Sequence, residues 1–190
     1  APFTGILEIF PCRAGGSDYF GNYINGKLTI FNGYYTIVQG DVYGNNNREL
    51  HLPIGPYNMV YWGTPKHEEP IHNSPEINSP GIVKGANLAD MYFSLRPYGD
   101  GTYKPVYDLV HAVQETRIGS EELHTGLIRV SAGLIVNLRQ KDNAVFNSNV
   151  KSVKVQIGGI AEKLNFYTAE PVNQTKTVRF DLSRSEDNTT

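Results

Sequence analysis

Residues 126–140 carry the most regular hydrophobic pattern in this sequence, and that pattern restricts the fold more than any other stretch. Apolar side chains alternate with polar ones over most of the segment, a period typical of a β-strand with one buried face. The set predicted to face the core is Ile128, Val130, Ala132, Leu134, Val136 and Leu138. We expect this segment to be the backbone of the core, with Gly133 as a bend or bulge. A charge at Val130 or Leu134 is expected to unfold the domain.

A second stretch, LPIGPYNMVYWG at residues 52–63, joins a turn to an aromatic segment that has no charged side chain. Large side chains alternate to both sides of the extended chain, which favours a central strand over an edge strand. Trp62 is the only tryptophan in the chain, and its size suits an anchor in a core or interface.

Several shorter segments also have β character and are separated by turn residues. They are residues 5–10, 27–31, 34–38, 88–95, 151–157, 165–167 and 177–182. Pro11 is expected to close the first of them, and Asn32-Gly33 predicts a tight hairpin between the second and third. Residues 106–114 fit either a strand or a helical face, and their β-branched content favours a strand. Residues 64–85 are predicted to be a long surface loop.

The predicted fold class is therefore all-β, an antiparallel β-sandwich of about seven to ten strands. The length of 190 residues fits a single domain. We assign residues 1–182 to the sandwich domain. Residues 183–190 are polar, and we assign them to a tail or to the start of a linker to an absent second domain.

Charge and cysteine content exclude several classes of function. The net charge is −2 and no basic run occurs, so nucleic acids and anionic membranes are poor candidate partners. Cys12 is the only cysteine, which excludes an internal disulfide and a cysteine-rich zinc module. We expect it to be a partly buried residue at the end of the first strand rather than a catalytic thiol. No apolar stretch is long enough to cross a bilayer, and the first residues do not have the pattern of a signal peptide.

Candidate chemistry is sparse. Residues 67–72, HEEPIH, resemble a zinc-protease motif, but the two histidines are five apart and Pro70 disfavours the helix that the motif needs. The acidic residues do not form a calcium loop, and no nucleophile elbow is present. Gly158-Gly159 is expected to be a bulge or turn. We therefore predict no enzyme activity, no catalytic residues, no cofactor-binding residues and no metal site.

Five tyrosines lie close together in the sequence among asparagines and glycines. They are Tyr19, Tyr23, Tyr34, Tyr35 and Tyr43. Such residues can bind sugars or proteins by stacking, and they can equally pack on a half-buried sheet, which we favour. Two sequons, at Asn173 and Asn188, match the N-glycosylation pattern, which has meaning only in a eukaryotic secretory context.

Three of these segments, in this order, resemble the fimbrillin superfamily of Bacteroidales, particularly its FimB-like anchor and accessory subunits. The first is LPIGPYNMVYWG. The second is LHTGLIRVSAGLIVNLRQ at residues 123–140, where Arg129, Ala132, Val136 and Leu138 carry the likeness. The third is VKVQIGGIAEKLNF at residues 153–166. The resemblance extends over residues 5–182.

This resemblance implies a transthyretin-like β-sandwich and a non-enzymatic structural subunit of a cell-surface fimbria, of anchor or accessory type. Such proteins have two domains, are exported as lipoproteins to the outer surface, and assemble with other fimbrial subunits by strand donation. The outer membrane would be reached through a lipid anchor that this chain does not contain. The chain lacks a lipobox cysteine and is short for two sandwiches. Arg13 is either a processing site or an ordinary loop arginine. The alternative function is a surface glycan- or protein-binding module.

Overall fold

The protein, seen in a computed structural model, is described over residues 1–31, 33–43, 49–65, 70–119 and 122–190. This part of the chain contains fourteen β-strands, three short 3-10 helices and no α-helix. The all-β fold class is confirmed. The number of strands exceeds the predicted seven to ten, because seven of them have only two or three residues, too few to show an alternating pattern.

The strands are β1 (Gly5–Arg13), β2 (Asn22–Ile24), β3 (Lys27–Thr29), β4 (Tyr35–Val38), β5 (Asp41–Val42), β6 (Gly55–Thr64), β7 (Ile77–Asn78), β8 (Tyr92–Leu95), β9 (Val110–Ile118), β10 (Ile128–Arg129), β11 (Val153–Ile160), β12 (Lys163–Asn165), β13 (Pro171–Val172) and β14 (Lys176–Leu182). The 3-10 helices are Ile71–Asn73, Leu88–Asp90 and Lys141–Asn143.

Strand β6 lies inside the largest sheet, whose order is β10-β9-β6-β1-β4-β5 with every pair antiparallel. It pairs with β1 along one side and with β9 along the other. Residues 57–64 of this strand are all buried. A strand with partners on both edges and layers on both faces has no place for a charge, which explains the uncharged sequence. The expectation of a central strand is confirmed.

A second sheet, of order β13-β12-β8-β7, packs on one face of the central sheet. The core between them is built around Trp62, whose ring lies 4.6 Å from that of Phe93 at an angle of 80°. Its Nε1 donates a hydrogen bond of 2.8 Å to the backbone carbonyl of Phe166. The two sheets therefore form a β-sandwich, and Trp62 is the core anchor that its size predicts.

The opposite face of the central sheet is also covered, but by chain outside the two sheets. Tyr57, Met59 and Tyr61 form a second apolar cluster there with Ala112. Phe20, Leu50, Leu52 and Leu127 are among the half-buried residues that pack on it. The ring of Phe20 meets that of Tyr57 edge-on, with centroids 5.3 Å apart. The central sheet is thus the middle layer of three.

Residues 126–140 do not form the predicted core strand. Only Ile128–Arg129 is a strand, which pairs with two residues at the edge of β9. Leu134 is 63% exposed and Ile135 is 86% exposed, so the predicted role of this segment in the core is wrong. Alternation shows that a strand has two unlike faces. It does not show that the same chain contains a surface to cover the apolar one.

The substitution Leu134→Asp is accordingly expected to leave the stability of the protein within about 0.5 kcal/mol of wild type, because the side chain is already in water. Val130→Asp is expected to be the damaging member of the pair, since Val130 packs against the sandwich core. Thermal unfolding of the two variants tests this contrast. Equal destabilisation by both would contradict the exposed position of Leu134.

The remaining sequence predictions are confirmed in some places and wrong in others. Residues 106–114 contribute to a strand, β9, and the segments at 151–157 and 177–182 form β11 and β14. Pro11 does not end the first strand, which continues to Arg13. The two strands expected to flank a hairpin are not paired with each other, because β3 pairs with β2 and β4 pairs with β1 and β5. The turn expected at Asn32-Gly33 includes Asn32, which lies outside the described residues. The boundary between residues 182 and 183 stays a prediction.

The same dipeptide forms a tight hairpin seven residues earlier, at Asn25-Gly26 between β2 and β3. Both residues have positive φ, 49° and 74°, as a two-residue turn with a compatible twist requires.

Candidate functional site

Two titratable side chains, Glu8 and His111, lie on either side of Trp62 across the central sheet, on the face that carries the sandwich core. Glu8 of β1 is opposite Trp62 of β6, which is opposite His111 of β9. Glu8 is 1% exposed and its Oε1 contacts Nδ1 of His72, whereas its Oε2 has no hydrogen-bond partner among the described residues. In the same ranges, Nε2 of His111 is also buried without a partner. Because Trp62 separates the carboxylate from the His111 imidazole by two strand spacings, about 10 Å, they cannot share a proton or a metal ion.

The other residues considered for catalysis or metal binding do not form a site either. Burial raises the pKa of the Cys12 thiol to about 12, so the thiol stays protonated and unreactive. Of residues 67–72, the first three lie outside the described part, and His72 belongs to the 3-10 helix at Ile71–Asn73. Within the described ranges, no group of three or more His, Cys, Asp or Glu side chains is placed to hold a metal ion.

The burial of His111 makes the stability of the protein depend on pH. Burial lowers its pKa from 6.5 to about 4. Between these values the unfolded state binds a proton that the folded state excludes, so stability is complete above about pH 6.5 and falls as the pH drops towards 4. The loss is expected to reach at most about 3 kcal/mol, since one unit of pKa corresponds to about 1.4 kcal/mol. Urea unfolding between pH 7 and 4 measures it, and His111→Phe should flatten the curve; parallel curves would contradict this origin.

The five tyrosines divide into buried and exposed ones. Tyr19 is 1% exposed, and its hydroxyl accepts a 2.9 Å hydrogen bond from the backbone N–H of Phe31. Tyr34 and Tyr35 are half-buried, and the ring of Tyr35 stacks on that of Phe31. Among the five, Tyr23 and Tyr43 are the exposed ones, at 41% and 67%. Packing inside the protein therefore explains the position of Tyr19. Of the five tyrosines, only Tyr23 and Tyr43 remain exposed enough to stack on a ligand.

Arg13 is the last residue of β1 and pairs with Tyr57 of β6, so it is a strand residue rather than a loop arginine. Its guanidinium lies 5.7 Å from the centre of the Phe20 ring. Gly158-Gly159 forms the bulge that was predicted: Gly159 has φ +75° and the pairing of β11 with β14 shifts register there.

The strongest candidate for a functional surface is the part of the predicted core strand that lies in solvent. We refer to residues 131–140 as the open segment. Within the described part of the chain, no backbone hydrogen bond involves residues 132–139. Leu134, Ile135 and Leu138 are 63%, 86% and 44% exposed. An extended apolar segment with free N–H and C=O groups offers both parts of a strand-pairing surface.

A two-stranded ribbon, β11 with β14, lies beside the open segment. Its cross-strand pairs Val153–Leu182, Val155–Phe180 and Ile157–Val178 place six apolar side chains on one face. Five of the six remain half-buried, and only Val178 is fully buried. Two strands alone are marginally stable, and an apolar face of this kind normally packs on a further layer.

The open segment and the ribbon together line a groove of about 400 Å³, which we call the ribbon groove. Its apolar lining includes Val136, Leu138, Phe146, Val153, Phe180 and Leu182. Val136 and Leu138, which were predicted to be buried in the core, therefore line an open groove instead of packing against another layer. Sequence reasoning found the apolar residues on both walls but placed them in one closed core.

A family model described as "Fimbrillin-A associated anchor proteins Mfa1 and Mfa2" matches residues 2–190. The chain belongs to this family. The resemblance to fimbrillin anchor subunits, which rested on three segments of sequence, is thereby confirmed. Among curated proteins, none matches the sequence.

The fold is similar to that of a crystal structure at 2.50 Å resolution of a protein described as a "putative adhesin from Bacteroides ovatus". The TM-score is 0.55 and the sequence identity is 13%, so this likeness concerns the fold alone. The alignment covers 97% of this chain and 62% of the other, and the chain therefore spans less than two thirds of that relative. None of the helices in the described residues is long and apolar enough to cross a membrane.

Proposed function

We propose that this member of the fimbrillin-associated anchor family is a non-enzymatic structural subunit of a cell-surface fimbria, of anchor or accessory type. In this proposal it is exported, held at the outer membrane by a lipid anchor outside the present chain, and joined to other fimbrial subunits by β-strand addition on a transthyretin-like domain. Membership of the family supports the fimbrial role. The observation that supports strand addition is the open segment, which alternates as a core strand does and yet pairs with no strand in the described part of the chain.

Strand addition has a simple physical basis at this place. A partner strand laid along residues 132–139 would satisfy backbone N–H and C=O groups that have no hydrogen-bond partner in the described part of the chain, which provides affinity independent of sequence. Its alternate side chains would enter the ribbon groove and set the register. The same event would remove from water the apolar surface of Leu134 and Leu138, at roughly 25 cal/mol per Å².

Hydrogen exchange tests this proposal directly. When the purified chain is mixed with purified fimbrial subunits from the same organism, the amides of residues 132–139 are expected to become protected, because they enter a ladder. Ile135→Pro is expected to reduce binding at least about tenfold, since proline removes a donor and cannot sit inside a sheet.

The matched control is Val145→Pro. Val145 is also exposed, and Ala144 before it is already extended at φ −62° and ψ 149°, which tolerates a following proline. Control binding should equal that of wild type. Binding of a subunit without any protection of residues 132–139 would show that assembly uses another surface.

A further inference from the structure

We infer that the strand received by the open segment is acidic: an extended segment of another polypeptide, with apolar residues at alternate positions and Asp or Glu among the others. This inference rests on the proposed strand addition and adds the chemistry of the partner. It comes from the distribution of charge around the ribbon groove.

Charge is unevenly divided along the chain. Residues 126–160 contain five basic residues and one acidic residue, a net charge of +4. Because the whole chain carries −2, the remaining residues carry −6. The cationic stretch is the one that contains the open segment, the 3-10 helix at Lys141–Asn143 and β11. A local excess of one sign in an otherwise acidic protein selects partners of the opposite sign.

Three of these five cations form no ion pair in the described part of the chain. Arg129 is neutralised by Asp108, with Nη2 2.8 Å from Oδ2. In the described part of the chain, no ion pair within 4.0 Å includes Arg139, Lys141 or Lys151, all of which are exposed. Lys154 is opposite Asp181 in the pairing of β11 with β14, so a carboxylate is available to it. The one carboxylate in the stretch, Asp142, follows Lys141 and is not in an ion pair with any of the three.

Their positions border the proposed docking surface. Arg139 lies in the open segment itself and Lys141 directly follows it. Lys151 lines the ribbon groove together with Arg184, whose guanidinium donates to the backbone carbonyls of Asn147 and Val150. Asp181 is the one acidic residue in the lining. Thus a strand with apolar residues towards the groove would carry its other side chains past a mainly cationic rim.

An anionic membrane is the competing partner for a surface that combines cations with exposed Leu134 and Ile135. Membrane-surface segments are typically amphipathic helices. The open segment is instead extended, has a period of two and leaves backbone groups free, and these features suit a strand. Vesicles are therefore included in the test as a competing outcome.

The test uses the full 190-residue chain and three synthetic peptides of about twelve residues with one alternating apolar pattern. The intervening positions are acidic, neutral or basic. In about 50 mM NaCl the acidic peptide is expected to bind at least about tenfold more tightly than the neutral one. The difference should largely disappear in about 0.5 M NaCl, where the screening length is shortened to a few ångströms.

Charge reversal locates the effect. The double variant Arg139→Glu and Lys141→Glu is expected to prefer the basic peptide. A control with the same change in net charge, Lys27→Glu and Lys84→Glu at exposed positions in the sandwich part, should keep the acidic preference. Protection of the amides of residues 132–139 by the bound peptide shows that the contact is a strand pairing.

The failures are distinguishable. Equal binding of the three peptides, with protection of residues 132–139, overturns the acidic partner and leaves strand addition intact. Absence of binding by every peptide overturns strand addition at the open segment as well. Vesicles rich in phosphatidylglycerol that bind more tightly than the acidic peptide, and lose binding in the charge-reversed variant, overturn the inference in favour of a membrane contact.

Discussion

Trp62→Ala is expected to lower the free energy of unfolding by about 4 kcal/mol, since removing a large buried aromatic side chain typically costs 3–5 kcal/mol. Trp62 is 0% exposed, and its ring contacts Phe93, Phe166 and His111. The substitution also leaves the Phe166 carbonyl without the donor that it now has. Natural domains are stable by about 5–15 kcal/mol, so this change removes a large part of the total.

Urea unfolding followed by far-ultraviolet circular dichroism measures this effect, because the variant has no tryptophan fluorescence. Trp62→Phe is expected to lose about half as much, since it keeps a ring in the cavity and loses only the hydrogen bond and part of the volume. Ile135→Ala is the surface control, expected to change stability by less than about 0.5 kcal/mol. A Trp62→Ala variant as stable as this control would mean that the sandwich core is built around another residue.

His72→Ala is expected to cost about 3 kcal/mol at neutral pH, although His72 itself is a partly exposed residue. The reason is Glu8, which is 1% exposed and would lose the ring nitrogen that its Oε1 contacts, so that a buried carboxylate would keep no side-chain partner in the described part of the chain. The double substitution Glu8→Leu with His72→Ala is expected to be more stable than the single one, because it removes the stranded charge and places an apolar side chain of similar size beside Trp62.

The comparison that decides this prediction is the order of the three unfolding free energies, measured in urea at pH 7.5. We expect wild type and the double variant to lie close together and His72→Ala to lie well below both. If the double variant were the least stable, the contact between Glu8 and His72 would make a net contribution to stability, and would not merely offset the cost of burying the Glu8 carboxylate.

The sequence predicted the central position of β6 for a sound physical reason. A strand that is buried on both faces and paired on both edges excludes charge from every position, and residues 57–64 satisfy that condition. Strands β11 and β14 were also found, because alternation over seven or eight residues identifies a strand with two unlike faces. The two-residue strands could not be found, since a pair of residues has no period.

The same rule failed for residues 126–140, and the failure identified the candidate site. Alternation measures what a strand could bury, whereas burial depends on whether another surface is present to cover it. Glu8 is the one charged residue in the apolar run of residues 5–10, and the sequence alone does not show that His72, sixty-four positions away, contacts it. The cationic character of residues 126–160 is visible in the sequence, but it becomes informative only when the exposure of the segment is known.

The two outer strands of the central sheet, β5 and β10, have only two residues each. Strands so short give an incoming chain almost nothing to extend. Strand addition as proposed above would instead use the open segment, a longer stretch of backbone without hydrogen-bond partners in the described part of the chain.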